Sequence, residues 1–466
     1  MTKEQELLQA QSRAVNAALV LGKERLYLGP EALRDFRTDE LRKLLKYARE
    51  NSPWYAKTLA DFDLDAFVEE DLADVPALDK HTLMENWDQI VTDRSLSLDV
   101  VESHLEGLNK DSGLLRLLDR FHVLATGGTT GTRGVYVYDW DGWSKRNAGA
   151  RRFPLLDQNY SPVQINKSKL KLAQVVIMSP VFGMVASTLT YQDDWLESVY
   201  IPMTLPIAEV CSRLNDEQPD ILMGIPSTVH KLCMEAEAGA LNITPTIVWV
   251  SGEPLYGPVR KAIKRAWPSC HLFNVLASSE GVHAHPCHSD SDEMHLNDDN
   301  CIVQPVDHEG RPAALGERPA KLYVTNLYNY TLPLIRYESL DQFVFIDKTC
   351  PCGSNFQLIE APRGRPEFDF VYPGGTFVHH LVFTTPLLLD RHVHEYQVCQ
   401  TPSGAEVRIV SRGDADKDRL TQTMTNSLRE VGLPSPEVTV REVSEFTYSQ
   451  AGKLKRFVRL PEATTA

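Results

Sequence analysis

The sequence predicts an α/β fold: a large, multi-lobed N-terminal domain over residues 1–363 and a small α+β C-terminal domain over residues 364–466. Three observations predict it. From about residue 121, short apolar or β-branched runs alternate with helical segments, the signature of a buried sheet flanked by helices. A Gly/Pro/Arg cluster, APRGRP (361–366), breaks that pattern and reads as a linker. The chain of 466 residues also exceeds what one ordinary core accommodates.

Residues 1–95 read as helical, with amphipathic spacing at Leu41, Leu44, Leu45 and Tyr47. They end in the polar, Pro-punctuated stretch DLADVPALDKHTLMENWDQI. The strand candidates are FHVLAT, VYVYDW, KLAQVVIMS, ESVYIPM, DILMGIP, TIVWVSG and HLFNVLA. Helices are expected at AEVCSRLND, STVHKLCMEAEAG and GPVRKAIKRAW. After residue 300 the helices thin out, and KLYVTNLYNYTLPLIRYES with FVFID predicts a smaller β-rich lobe. Beyond the linker come EVRIVSR, a helix with Leu420, Met424, Leu428 and Val431 on its apolar face, and the alternating PEVTVREV.

The net charge of -15 argues against nucleic-acid or anionic-membrane partners. No apolar run is long enough to span a bilayer, and the polar, mixed-charge N-terminus lacks the apolar stretch of a signal peptide. A cytoplasmic protein is expected. Of the eight cysteines, Cys211, Cys233, Cys270, Cys301 and Cys399 read as small buried apolar residues. The close pair Cys350 and Cys352 does not.

The most informative segment is ATGGTTGTRG (125–134), between two strand candidates. Its glycines allow a tight turn that approaches a ligand closely, and its threonine hydroxyls and successive N–H groups suit phosphate oxygens. No Gly-Lys-Ser/Thr follows, so it is not a Walker loop. A Gly/Thr-rich hairpin is the plain alternative.

This loop resembles the S-S-G-T-T-G-x-P phosphate loop of the adenylate-forming enzymes, the group of acyl-CoA synthetases and peptide-synthetase adenylation domains. Further resemblances follow in the same order. ENSPWYAK and EEDLADVPALDKHTL are similar to the opening of phenylacetate–CoA ligases, WVSGEPL to G-A-E-P, and NVLASSEG to Y-G-L-S-E. LIRYESLD, RGRPEFDF and SQAGKLKR resemble R-Y-R-T-G-D, the G-R-x-D-D hinge and the terminal S-x-G-K-x-K-R. The resemblance runs from about residue 40 to residue 459.

It implies ATP, Mg²⁺ and a carboxylic acid as ligands, and a mobile C-terminal domain that carries the catalytic lysine. Thr126, Gly127, Gly128, Thr129, Thr130 and Gly131 would hold the phosphates, with Thr130 also catalytic. Ser251, Gly252 and Glu253 would border the adenine with Ala277, Ser278 and Ser279. Glu280 would bind Mg²⁺, a hard cation suited to a carboxylate plus phosphate oxygens. Asp341 would accept the ribose hydroxyls. Lys453 would stabilise charge in the adenylation transition state, and Arg365 marks the hinge, with Glu367 or Asp369 as its carboxylate.

The departures are informative. Thr132 and Arg133 stand where the family has Lys-Pro, and Leu276 stands where an aromatic stacks on adenine. The family's glycine-rich segment is not recognisable around SPVFGMVASTLTY, which implies a divergent substrate. The acid pocket is expected around Phe182, Gly183, Pro226 and His230, mostly apolar and suited to an aromatic or cyclic acid. No carboxylate is placed to hold an α-ammonium group.

KTCPCGS resembles the family's T-C-P-C-G-R segment, and residues 282–300 its E-C…G-x-H-x-x-E-D segment. Cys287, His295, Cys350 and Cys352 would together make a closed Cys₃His set for structural Zn²⁺. His283, His285 and His288 are alternative nitrogen ligands. The expected reaction is acid plus ATP to acyl-adenylate plus pyrophosphate, then transfer to coenzyme A. An amine acceptor (coronafacate ligase-like), a carrier-protein thiol, and a non-catalytic nucleotide- or acyl-binding protein are the alternatives. The oligomeric state stays open between a monomer and a homodimer.

Overall fold

The computed structural model describes residues 3–110, 116–126, 134–152, 167, 169–192, 196–339, 341–362, 368–390, 392–411, 413–448 and 454–460. An N-terminal helical block comprises α1 (Lys3–Arg25), α2 (Pro30–Asn51), α3 (Pro53–Thr58), α4 (Lys80–Glu85), α5 (Trp87–Ile90) and α6 (Leu98–Lys110). Leu41, Leu44 and Leu45 bury one stripe of α2, whereas Tyr47 stays 40% exposed and packs its edge on Tyr330. The block shares a core with the hairpin β1 (His122–Ala125) and β2 (Val135–Tyr138). α7 (Trp140–Arg151) follows and lies against α1, where Gln11 Nε2 donates to Ser144 Oγ at 2.6 Å.

The central α/β unit then runs β3 (Leu170–Val176), α8 (Gly183–Leu189), β4 (Leu196–Pro202), α9 (Ile207–Glu217), β5 (Ile221–Gly224) and α10 (Pro226–Glu237). It continues through β6 (Ile247–Ser251), α11 (Gly257–Ala266), β7 (His271–Ala277), β8 (His283–His285) and β9 (Glu293–Leu296). A three-stranded antiparallel sheet follows, of β10 (Cys301–Val306), β11 (Lys321–Asn326) and β12 (Tyr337–Ser339). The short strands β13 (Phe345–Ile346) and β14 (Leu358–Glu360) return to the central sheet. Among the described residues that sheet has the order β13-β14-β9-β8-β7-β6-β5-β3-β4. Its β7-β6-β5-β3-β4 half is parallel, and α9, α10 and α11 cover it through Val210, Leu232 and Ile263. Burial on both faces explains why ILMG and IVWVS read as continuous apolar runs.

The strand order reverses at β3, whose neighbours β4 and β5 follow it in sequence on opposite sides. In open parallel sheets, ligands sit beyond the carboxyl ends of the strands at such a switch point. The loops after β3, β5, β6 and β7 all meet there.

The C-terminal lobe contains the ribbon β15 (Phe370–Val371) and β16 (Phe377–Val378), then α12 (Leu381–Leu389), β17 (Val393–Thr401) and β18 (Gly404–Ser411). α13 (Lys417–Glu430), β19 (Glu437–Glu442) and β20 (Phe457–Val458) complete it. Its four-stranded sheet, β19-β18-β17-β20, has its own core. Asp416 caps α13 by accepting from Arg419 N, and Leu420, Met424 and Leu428 are fully buried. Val431 departs from the expected apolar face: it is the residue after the last helical turn and is 42% exposed. No helix among the described residues is long and apolar enough to cross a membrane.

Candidate active site

A cavity of about 1240 Å³ opens at the carboxyl ends of the parallel strands. Val176, Ile225, Ser251 and Ala277 bring the ends of β3, β5, β6 and β7 to its wall. The C-terminal lobe supplies the opposite wall through Phe368, Tyr396, Lys455, Arg456 and Phe457. One cavity therefore takes side chains from both lobes.

The glycine-threonine loop springs from the open end of the β1–β2 hairpin. Thr126 N donates to the Gly134 carbonyl at 2.9 Å, and Gly134 N donates back to Thr126 Oγ1 at 2.9 Å. A side chain at residue 134 would crowd its neighbours. A Cβ there would stand 2.8 Å from the Tyr136 hydroxyl and 2.9 Å from Lys80 Cε. Lys80, at the start of α4 behind the capping Asp79, lines the cavity beside Thr126. Sequence reasoning assigned Lys80 no role, although the EEDLADVPALDKHTL stretch that contains it was itself the signal. Gly127, Gly128, Thr129, Thr130 and Gly131 lie outside the described residues, as do Arg365, Glu367 and Lys453. Leu454 and Lys455, which follow Lys453, line the cavity.

Glu280 and Asp341 both line this cavity. Glu280 Oε1 accepts from the Tyr136 hydroxyl at 2.9 Å, and that hydroxyl lies 3.1 Å from the Tyr337 hydroxyl. Burial, then the Glu280 charge, pushes the Tyr136 phenol well above its ordinary range, so it remains a donor. The backbone around Glu280 is pinned. Asn326 Nδ2 donates to the Glu280 carbonyl at 2.8 Å and the Tyr328 hydroxyl to the Gly281 carbonyl at 2.9 Å. Gly281 has φ +96°, and a Cβ there would sit 2.2 Å from Asn326 Nδ2. Asp341 N donates to Ser339 Oγ at 3.2 Å at the end of β12.

Ser251, Gly252 and Glu253 line the same wall, with Ala277, Ser278 and Ser279 alongside. Glu253 Oε2 accepts from Ser227 N at 3.0 Å, tying the β6 turn to the start of α10. Phe182, Gly183, Pro226 and His230 are all brought to the cavity. Burial and nearby cations, Arg265 foremost, lower His230 to about 4, so this imidazole is neutral at pH 7.

Contacts among the described residues that join the lobes include an approach of Arg318 Nη2 to Asp369 Oδ2 at 3.7 Å. Lys231 Nζ on α10 lies 2.6 Å from Glu395 Oε2 on β17, and the Tyr256 hydroxyl lies 3.1 Å from His380 Nε2. Glu395 also accepts from Arg456 at 3.0 Å and from Tyr448. Asp369, one of the two hinge carboxylates expected from sequence, is buried with Oδ1 2.7 Å from His380 Nδ1.

Away from the cavity, the potential ligand atoms of Cys287, His295, Cys350 and Cys352 all lie within 4.8 Å of one another. Cys287 Sγ is 3.5 Å from Cys350 Sγ, and Cys352 Sγ is 3.3 Å from His295 Nε2. The edges of a tetrahedral Zn²⁺ site with such ligands are roughly 3.3–3.8 Å. His295 Nδ1 faces the Phe356 carbonyl at 3.0 Å, which holds the proton there and leaves Nε2 as the lone-pair donor. The donor set therefore fits a closed zinc site. Among the alternative histidines, His288 Nδ1 lies 3.3 Å from Cys287 Sγ, while His283 lines the large cavity instead.

In sequence comparison no protein family matches the chain, and no curated protein matches it. Solved structures do. The chain superposes on 2-hydroxyisobutyryl-CoA ligase in the postadenylation state, in complex with 2-HIB-AMP, with a TM-score of 0.70. Identity is 17%, and the match covers 94% of this chain and 92% of that one. The same ligase in its thioesterification state, with 2-HIB-AMP and CoA, gives 0.57 at 18% identity, covering 93% and 91%. The anthranilate CoA ligase AuaEII, in complex with anthranoyl-AMP, gives 0.50 at 14% identity over 72% of this chain and 65% of that one. The chain has the fold of the adenylate-forming ligases.

Proposed function

We propose that the protein is an AMP-forming carboxylic acid ligase, which activates an acid as its acyl-adenylate and transfers the acyl group to coenzyme A. The observation that carries this reading is the shared cavity: Glu280, Asp341, Thr126 at the start of the glycine-threonine loop and the Lys455–Phe457 segment line it together. Solved ligases of the same fold hold acyl-adenylates and CoA, which supports the same ligand classes here.

In the first half-reaction a carboxylate oxygen attacks the α-phosphorus of ATP, the bond to the bridging oxygen breaks, and pyrophosphate leaves. The loop from Thr126 through Gly131 holds the phosphates, with Thr130 as a donor and Lys80 as an added cation at the loop's closing end. Asp341 accepts the ribose hydroxyls, and Ser251–Glu253 with Ala277–Ser279 border the adenine. Glu280 would hold Mg²⁺, which neutralises phosphate charge when bound. Lys453 offsets the repulsion between carboxylate and α-phosphate as they approach. In the second half-reaction the thiol of coenzyme A attacks the acyl carbonyl, loses its proton, and AMP leaves.

The domain boundary falls at 363/364, with Arg365 at the pivot and the C-terminal lobe turning between the two half-reactions. Of the two hinge carboxylates we assign the pivot to Glu367, a choice supported by the contact of Asp369 Oδ1 with His380 Nδ1. Cys287, His295, Cys350 and Cys352 hold a structural Zn²⁺ remote from the chemistry. The acid has a hydrophobic body that fits Phe182, Gly183, Pro226 and His230, and the protein works in the cytoplasm.

Pyrophosphate release measured over a panel of acids, with and without coenzyme A, tests the reading. Acid-dependent release, with thioester formed only when coenzyme A is present, is expected. Release with coenzyme A ignored and an amine consumed would assign the amide-forming alternative. Absence of release with every acid would leave a non-catalytic nucleotide-binding protein.

A further inference from the structure

We infer that Arg146 and His283, which both line the cavity, form a subsite for a second carboxylate on the acid substrate. The inference rests on the ligase reading above and narrows its substrate class to dicarboxylic acids.

Arg146 projects from α7 to the cavity and is only 3% exposed. Its Nη1 donates to Ser187 Oγ at 3.0 Å and its Nη2 to the Ser278 carbonyl at 3.2 Å, while Nε has no hydrogen-bond partner among the described residues. The guanidinium stands 5.2 Å from the Trp143 ring centre. None of these partners is an anion, and no carboxylate among the described residues forms an ion pair with Arg146. Arg152, equally buried, shows the contrast: it pairs with the buried Asp299 at 2.6 Å. Burying a guanidinium without a counter-charge costs several kcal/mol, so the cavity holds a charge that a bound anion would satisfy.

His283 adds a second buried polar group. It lines the same cavity and is fully buried; the Gly281 backbone interacts with its ring, and no side chain among the described residues hydrogen-bonds either ring nitrogen. Burial and the Arg146 charge hold it well below the ordinary histidine range, so it is a neutral ring with one donor and one acceptor nitrogen. The two residues flank one turn: Arg146 donates to the Ser278 carbonyl, and Ser278 N donates to the Val282 carbonyl next to His283.

Gly183 keeps the subsite open. A Cβ there would stand 2.7 Å from Arg146 Nη2, so any side chain at 183 would press on the guanidinium. Arg146 offers a planar pair of donors and His283 a further one, which suits the two oxygens of a carboxylate. Phe182 and Pro226 on the same cavity suit the apolar body between the two acid groups.

Matched acids test this: adipate against hexanoate and isophthalate against benzoate, assayed by pyrophosphate release and, without ATP, by calorimetry. The wild-type protein is expected to prefer the dicarboxylate of each pair, and Arg146→Met to lower the dicarboxylate-to-monocarboxylate ratio of kcat/KM about 100-fold. Should Arg146→Met fail to fold, Gly183→Ala carries the same test and should lower the same ratio. A wild-type preference for the monocarboxylates, or an unchanged ratio in the variant, overturns the subsite. If no acid is turned over, the ligase reading fails, and calorimetry still decides the subsite. Dicarboxylate binding weakened by Arg146→Met supports it, and equal binding of both members of each pair contradicts it.

Discussion

Lys231 on α10 and Glu395 on β17 form an ion pair at 2.6 Å across the boundary between the two lobes. Glu395 is nearly fully buried and also holds Arg456 and Tyr448, so the C-terminal lobe keeps its carboxylate satisfied from within when Lys231 is removed. Lys231→Met should therefore leave the lobe folded and loosen its seating on the cavity. A partly buried pair of this kind is worth about 1–2 kcal/mol, so the ratio of the two lobe orientations should change about 5- to 30-fold. Energy transfer between dyes on the two lobes reads that ratio, and an unchanged distance distribution would show that the pair does not hold the orientation.

The cysteine cluster predicts about one zinc per chain in protein prepared without chelators. Cys350→Ala or Cys352→Ala should lose the metal and several kcal/mol of stability, because metal binding contributes directly to folding. Turnover of the folded fraction should persist. Elemental analysis together with thermal melts checks both halves.

Glu280→Gln keeps the shape of the side chain and its contact with the Tyr136 hydroxyl, but removes the charge. Adenylation at limiting Mg²⁺ should fall on the order of 100-fold while the fold is retained. Full activity at limiting Mg²⁺ would remove Glu280 from the metal site.

His230 gives a pH prediction. Its folded value of about 4 lies below the ordinary value near 6.5, so the unfolded chain binds the proton more readily between those limits. Stability is therefore lost as pH falls below about 6.5 and levels off near pH 4. At pH 5 this one group costs on the order of 2 kcal/mol relative to pH 7. His230→Gln should shrink the pH 7 to pH 5 difference in urea unfolding by about that amount, and an equal pH dependence in both proteins would contradict the assignment.

Much of this architecture was legible because local signals and global fold agree. The parallel strands announced themselves as apolar runs between helices, and each ended in the loop that now lines the cavity. The Cys-Pro-Cys pair and the distant Cys287 and His295 were legible only through the family resemblance. Their convergence depends on β14 pairing with β9, which brings Leu358 opposite His295. What stayed hidden was mostly long-range. Nothing in the local pattern shows that Arg146 is buried without a carboxylate partner among the described residues, since a helical arginine usually faces solvent. The Lys231–Glu395 pair joins residues 164 positions apart and has no local trace. Val431 followed the apolar periodicity of α13, but the helix ends one residue earlier and exposes it.

Lys453→Ala should slow acyl-adenylate formation about 100- to 1000-fold while a supplied acyl-adenylate is still converted to thioester. The second half-reaction builds no new charge at the α-phosphate, so it does not need this lysine. Rapid-quench assays of the two half-reactions separate them, and equal loss in both would make Lys453 structural.

The proposed reaction turns on attack by a carboxylate oxygen on the α-phosphorus of ATP in this cavity. It is tested most directly with an acid substrate labelled with ¹⁸O in its carboxylate, turned over with ATP and coenzyme A, followed by mass spectrometry of the products. One ¹⁸O per turnover should appear in AMP, with pyrophosphate unlabelled. Label in inorganic phosphate, with ADP as the nucleotide product, would contradict the account.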